Sequence, residues 1–275
     1  MKGIIRDFTA PEEVQAKPPL VVHALKGRGR TLVVSFAGVG TQRKVTPPLE
    51  FIGTASDSGE NHVLFVSDDS RSWMNAPGLA EEVVRLVETY CEEQGIERVV
   101  ALGNSMGGFA ALILPELTKV DAAVAVSPQF SMHPDLVPGE NRWRSYADRI
   151  TEWRFPTVGA MDCEQTRYYV LHGAAGVEAR HWLRFARSAR SQHYIVQGVG
   201  HNLAERLRRR RVLGGLLWAV SDEKPKRARR VLQAAFRNPR FKVHLRRDYM
   251  KTYPDLRIGA DGGVAGHPGQ MEDAI

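Results

Sequence analysis

Residues 98–108 read RVVALGNSMGG, and the reading of this stretch decides the fold. Val99 to Leu102 are apolar without alternation, the pattern of a strand covered on both faces of a parallel sheet. Gly103-Asn104-Ser105-Met106-Gly107 then matches G-x-S-x-G, with Gly108 next. A helix is expected from about Met106 to Leu117. A sharp strand-to-helix turn puts Ser105 in a strained conformation and leaves Gly103 and Gly107 to spare the turn clashing side chains. The Ser105 hydroxyl then stands at a helix N-terminus, where free N–H groups and the helix dipole favour developing negative charge.

Outward from this turn, five further runs repeat the strand pattern: TLVVSFA (31–37), HVLFVSD (62–68), DAAVAVS (121–127), RYYVLHG (167–173) and HYIVQG (193–198). Helical periodicity falls between several of them. Leu79, Val83, Leu86, Val87, Tyr90 and Cys91 share one face, Glu81, Glu82, Glu88, Glu92 and Glu93 fill much of the other, and Gly95 marks the exit. Strand–helix alternation implies right-handed βαβ units and a doubly wound, mostly parallel α/β sheet. Residues 20–25 with the Gly27–Arg30 turn read as one arm of an N-terminal hairpin. Residues 179–189 read as helical.

Residues 130–164 interrupt the alternation. They carry Trp143, Tyr146, Trp153 and Phe155 among prolines and glycines, too long a stretch for a plain connection, and read as a cap insertion. Leu203, Leu207, Leu213, Leu217 and Val220 predict a helix after His201, and 228–236 predict another. The expected organisation is a main domain over 1–220, a basic helical C-terminal extension over 221–256 and a disordered tail over 257–275.

Composition narrows the function. The 275 residues are 43% hydrophobic, which excludes disorder as the dominant state. Two cysteines, Cys91 and Cys163, cannot staple a fold. Cys91 fits the buried helix stripe. Cys163 lies between Asp162 and Glu164, neighbours that disfavour a thiolate. No run approaches the ~18 apolar residues of a membrane span and the N-terminus has no secretory pattern, so a cytoplasmic, soluble protein is expected. The net charge of +7 is concentrated: residues 205–251 hold 16 Lys/Arg and 4 Asp/Glu, which leaves the remainder net negative. The basic segment suggests contact with an anionic surface. Its sparse aromatics argue against a stacking platform for single strands, and no specific nucleic acid binding is expected.

A serine hydroxyl needs a base. His201, in Gly198-Val199-Gly200-His201, follows the last predicted strand and is the candidate. His62, His133, His172 and His181 lie in weaker contexts. The GNSMGG turn, the GVGH segment and the strand rhythm over about residues 20–220 together resemble the α/β-hydrolase superfamily. That resemblance implies a Ser–His–acid triad, an acyl-enzyme and no cofactor. It also places an oxyanion loop after TLVVSFA, where this sequence has Phe36-Ala37-Gly38-Val39-Gly40-Thr41. Val39 or Gly38 would then supply one backbone donor and Met106 the other. The Asp that commonly follows the strand corresponding to RYYVLHG is missing. Glu178 is the nearest carboxylate, with Asp162, Glu164 and Asp135 as alternatives.

Asp69, Arg71 and Trp73, after the second strand of the core, are candidates for lining a substrate cleft, as is Gly38. Asp68 and Asp69 have no His or Cys at ligand spacing, so no metal site is expected. The reading is a serine hydrolase acting on a small-molecule or glycan ester. The alternative is a non-catalytic or acyltransferase use of the same fold in polysaccharide or secretion assembly.

Overall fold

The computed structural model describes residues 10–42, 45–221, 225–236 and 241–266. The central sheet has nine strands: β1 (Glu12–Lys17), β2 (Leu20–Leu25), β3 (Thr31–Phe36), β4 (His62–Asp68), β5 (Arg98–Asn104), β6 (Ala122–Val126), β7 (Arg167–Gly173), β8 (Ser191–Val196) and β9 (Val243–Leu245). Their spatial order is β1-β2-β4-β3-β5-β6-β7-β8-β9. The six strands from β4 across to β8 are mutually parallel; β1, β2 and β9 join antiparallel.

The continuous apolar runs have a simple cause. Along β3, Leu32, Val34 and Phe36 enter one core and Val33 the other; along β5, Val99 and Ala101 oppose Val100 and Leu102. Both faces are covered, so both sets must be apolar. One layer contains α2 (Leu79–Gln94), after α1 (Ile52–Ser56), and α3 (Met106–Ile113). α2 buries Leu79, Ala80, Val83 and Val87, and the Gly95 N–H caps it onto Cys91 and Glu92 carbonyls. The insertion over 130–164 is mostly irregular around α4 (Arg144–Ala147), and Tyr146, Phe155, Val158 and Met161 pack into the same core. α5 (Glu178–Trp182), α6 (Leu203–Arg209), α7 (Leu213–Ser221), α8 (Pro225–Ala235) and α9 (Arg246–Thr252) complete the helices.

Several expectations are corrected. β2 is one arm of an N-terminal antiparallel hairpin, but its turn is the one after β1 and not Gly27–Arg30. It pairs with β1 and β4, and β4 separates it from β3. The helix expected over 179–189 ends at Trp182. The stripe after His201 is split, because Arg211 takes a positive φ of 54° between α6 and α7. The single apolar stripe survives the break, since Leu203, Leu207, Leu213, Leu217 and Val220 all reach one core. The basic segment is not a separate extension: α8 buries Ala228 and Leu232, and β9 extends the sheet by pairing Tyr194 with Leu245 and Val196 with Val243. Residues 257–266 are ordered too. Strands β10 (Arg257–Ile258) and β11 (Val264–Ala265) pair, with Leu256 buried beside them; 267–275 lie outside the described residues, as do 222–224 and 237–240 of the basic segment. No helix among the described residues is long and apolar enough to cross a membrane.

The order β4-β3-β5-β6 reverses the direction of winding between β3 and β5, whose ends meet at the pair Phe36 and Gly103. Crevices at the carboxyl ends of strands open at such a switch point. The loop after β3 and the turn after β5 both lie there.

Candidate active site

Ser105 lies between β5 and α3 with φ 56° and ψ −120°, a conformation a non-glycine residue holds only when its surroundings force it. A Cβ on Gly107 would lie 2.2 Å from the Phe36 carbonyl oxygen, and one on Gly103 would lie 2.0 Å from the Gly107 oxygen. Glycine at both positions lets β3, the turn and the helix close on each other. The Ser105 N–H donates to the Val126 carbonyl at 2.9 Å, which ties the turn to β6. The N–H of Met106, in the first helical turn, has no acceptor among the described residues.

His201 arrives from the loop after β8. That loop packs against the end of β7: Ala175 N–H donates to the Val199 carbonyl at 3.0 Å. A Cβ on Gly173 would lie 2.1 Å from that same carbonyl oxygen, so only glycine admits the loop. His201 Nε2 is 3.1 Å from Ser105 Oγ, and its Nδ1 is 2.8 Å from Glu178 Oε1. A carboxylate only accepts, so Nδ1 carries the proton and Nε2 offers its lone pair to the serine hydroxyl. The Glu178 side chain is 2% exposed and that of His201 30%. The base is thus reachable and its carboxylate partner is not. Burial alone would raise the Glu178 carboxyl, but His201 and Arg142 beside it prevail and hold it down at about 2. Among the described residues, Asp135, Asp162 and Glu164 make no hydrogen bond to His201.

Arg142, from the insertion, donates to Glu178 Oε1 at 3.1 Å and also to both oxygens of Glu140. Glu140 Oε2 in turn accepts from His181 Nε2 at 2.8 Å. The Phe130 N–H donates to His181 Nδ1 at 3.1 Å, so that ring is neutral with its proton on Nε2. Burial lowers the His181 pKa in accord with this, against the pull of Glu140. Burial would raise Glu140, but hydrogen bonds from His181 and Arg142 drive it well below the carboxylate range. The insertion is therefore wired to the carboxylate that holds His201. Sequence reasoning missed Glu140 and Arg142, whose only signal was the run Gly139-Glu140-Asn141-Arg142, and had His181 only among the weaker histidines.

In the loop after β3, the two backbone candidates separate. The Gly38 N–H donates to Glu50 Oε1 at 3.2 Å, whereas the Val39 N–H has no acceptor among the described residues. Glu50 is half-buried and pairs with no cation among the described residues, and burial lifts its carboxyl to about 7 against the pull of the Gly38 N–H. Arg71 lines no open cleft, and Trp73 lines only a small cavity with Phe36, Ala37 and Met106. Arg71 is buried and donates to the carbonyls of Val39, Asp69, Gln42 and Val45, pinning this loop from beneath. Asp69 accepts from Thr46 Oγ1 at 3.2 Å, and Asp68 caps Ser70 and Ser72.

Trp73 is buried, and its indole N–H donates to Gln129 Oε1 at 3.2 Å. Because an indole N–H can only donate, Gln129 must face it with oxygen and present its NH₂ the other way. That NH₂ donates to Ser105 Oγ at 2.9 Å. Gln129 was not singled out in the sequence; its position just past a β-strand end was the available signal. Among the described residues, no group of three or more His, Cys, Asp or Glu is placed to hold a metal.

The arrangement joins a strained hydroxyl, an imidazole base with a buried carboxylate behind it, and free backbone donors on two adjoining loops. In comparison with known proteins, the sequence matches the Alpha/beta hydrolase family over residues 13–269. Solved structures similar to it include the capsule O-acetyltransferase of Neisseria meningitidis serogroup A, at 13% identity over 63% of this chain and 76% of that one, TM-score 0.45. The Pyrococcus horikoshii acylaminoacyl peptidase shares 13% identity over 62% of this chain and 32% of its own, TM-score 0.44. A thermophilic esterase from Thermogutta terrifontis shares 18% over 57% and 68%, TM-score 0.38. The comparison with curated proteins found no match.

Proposed function

The chain belongs to the alpha/beta hydrolase family, and on that premise we propose that it is a serine-nucleophile enzyme cleaving a carboxylic ester through an acyl-enzyme on Ser105. The observation that carries this reading is the hydrogen-bonded series from Ser105 Oγ to His201 to Glu178, set on a backbone turn of positive φ. His201 Nε2 takes the hydroxyl proton as Oγ attacks the acyl carbon. The imidazolium formed is stabilised by Glu178, whose depressed pKa keeps it anionic. The oxyanion is met by the N–H groups of Met106 and Val39, each without a competing acceptor among the described residues. His201 returns the proton to the departing alcohol oxygen, and water repeats the cycle through the same base.

The substrate is a small-molecule or glycan ester. The experiment is labelling with a fluorophosphonate probe. Wild type is labelled at Ser105, and Ser105→Ala and His201→Ala lose both labelling and turnover of p-nitrophenyl acetate. Equal labelling of Ser105→Ala would remove the nucleophile assignment.

A further inference from the structure

Ser105 Oγ has one proton and two lone pairs. The proton faces His201, and Gln129 Nε2–H occupies one lone pair, which leaves the other for attack. Gln129 is 1% exposed, and Trp73 behind it is also 1% exposed, so water cannot replace this donor and the amide cannot turn over without losing the indole bond. Oxyanion donors meet the carbonyl oxygen of the substrate; this donor meets the nucleophile itself.

We propose that Gln129 is a catalytic residue of the second half-reaction: its side-chain amide stabilises Ser105 Oγ as that oxygen leaves the acyl carbon. The proposal rests on the acyl-enzyme reading above. In the first half-reaction the amide donates to a hydroxyl oxygen in the free enzyme and to an alkoxy oxygen of an ester afterwards. Attack develops charge on the same oxygen, but acylation starts from a hydroxyl and deacylation from an ester oxygen, the poorer acceptor, so the hydrogen bond strengthens less on the way to the acylation transition state than on the way to that of deacylation. In the second, the acceptor's O–H gives its proton to His201 Nε2 and its oxygen bonds to the acyl carbon. The carbon–Oγ bond then breaks, its electron pair stays on Oγ, and His201 delivers the proton there. Charge grows on Oγ as the bond breaks, and hydrogen bonds to a charged acceptor are about twice as strong as those to a neutral one. A contact stronger in the transition state than in the acyl-enzyme accelerates deacylation, and by more than it accelerates acylation.

The test is rapid-mixing kinetics with p-nitrophenyl acetate on Gln129→Met, which keeps the bulk and removes the donor, and on Trp73→Phe, which removes the N–H that orients Gln129 together with part of the buried ring. Intact-mass measurement of acylated protein during turnover accompanies it. In Gln129→Met, acylation is expected to stay within about threefold of wild type while deacylation slows about tenfold to a hundredfold. A burst of nitrophenol follows, and acyl-enzyme accumulates on Ser105. Trp73→Phe shifts the same ratio in the same direction by less. If both half-reactions fall together in a folded Gln129→Met variant, or neither changes, the assignment to deacylation is wrong. If wild type itself forms no acyl-enzyme that depends on Ser105, the nucleophile reading fails, and this proposal falls with it; that outcome is visible before any Gln129 variant is measured.

Discussion

Arg142 Nη1 donates at 3.1 Å to the same Glu178 oxygen that meets the His201 ring. Two N–H donors therefore share one buried carboxylate oxygen, one from the insertion and one from the loop after β8. The consequence is that the insertion takes part in setting the charge state and direction of the group behind the base, beyond covering the sheet.

Replacing Arg142 with Met is expected to lower kcat/KM for p-nitrophenyl acetate about tenfold without unfolding the protein. The guanidinium that helps His201 hold Glu178 at about 2 is then gone, so burial moves its carboxyl upward. A pH–rate profile checks this: the acid limb of Arg142→Met lies at higher pH than that of wild type. An unchanged profile would show the contact to be incidental.

Glu178→Gln retains an oxygen that can accept from His201 Nδ1 but removes the negative charge opposite the imidazolium. The expected loss in kcat is about 10²–10⁴-fold. Steady-state ester turnover measures it, and a variant within twofold of wild type would mean that another group orients the ring.

Glu50 predicts a pH dependence of stability. Its carboxyl is raised from 4.5 to about 7 in the folded chain. The native state thus holds this proton more tightly than the unfolded state between those values. Its stabilising contribution is complete below about 4.5 and is lost as pH rises to 7. Glu50→Gln keeps an acceptor for the Gly38 N–H and lacks the titration. Urea unfolding at pH 8 should find it more stable than wild type by no more than about 3 kcal/mol, with the difference gone near pH 4.5. Glu178, held at about 2, acts in the opposite sense and in a separate window, adding stability as pH rises from about 2 to 4.5. Equal stabilities of Glu50→Gln and wild type at pH 8 would show the carboxylate to be better solvated than its position implies.

The basic helices carry the fourth prediction, a proposed contact with anionic surfaces. On α6 and α8, Arg208, Arg209, Arg229 and Arg230 are exposed, and of these Arg209 pairs with Glu205. Reversing Arg208, Arg229 and Arg230 to Glu should cut the salt needed for elution from heparin and leave ester turnover unchanged. Unaltered elution would reduce these arginines to a solvated face.

The six core strands were legible because each is a local apolar run whose two faces must both be covered, as Val33 and Val34 show by entering opposite cores. The short pieces were less so. β9 has three residues, and its place beside β8 depends on pairing with Tyr194 and Val196 far back in the chain. Leu213 continues the stripe begun by Leu203, and nothing in that periodicity marks the positive φ at Arg211 which splits it.

The serine turn was written into the chain at Gly103, where a Cβ would meet the Gly107 oxygen four residues on, a steric demand carried by neighbouring residues; the demand at Gly107 comes from Phe36 of β3 and is tertiary. Which carboxylate stands behind His201, and which amide touches Ser105, was decided by tertiary structure. Glu178 and His201 are 23 residues apart, His201 and Ser105 96, and Trp73 and Gln129 56. Side chains so distant in sequence meet only after the sheet has brought the strand ends together, and hydrogen bonds that exist only between assembled parts leave no periodicity in the sequence of any one part.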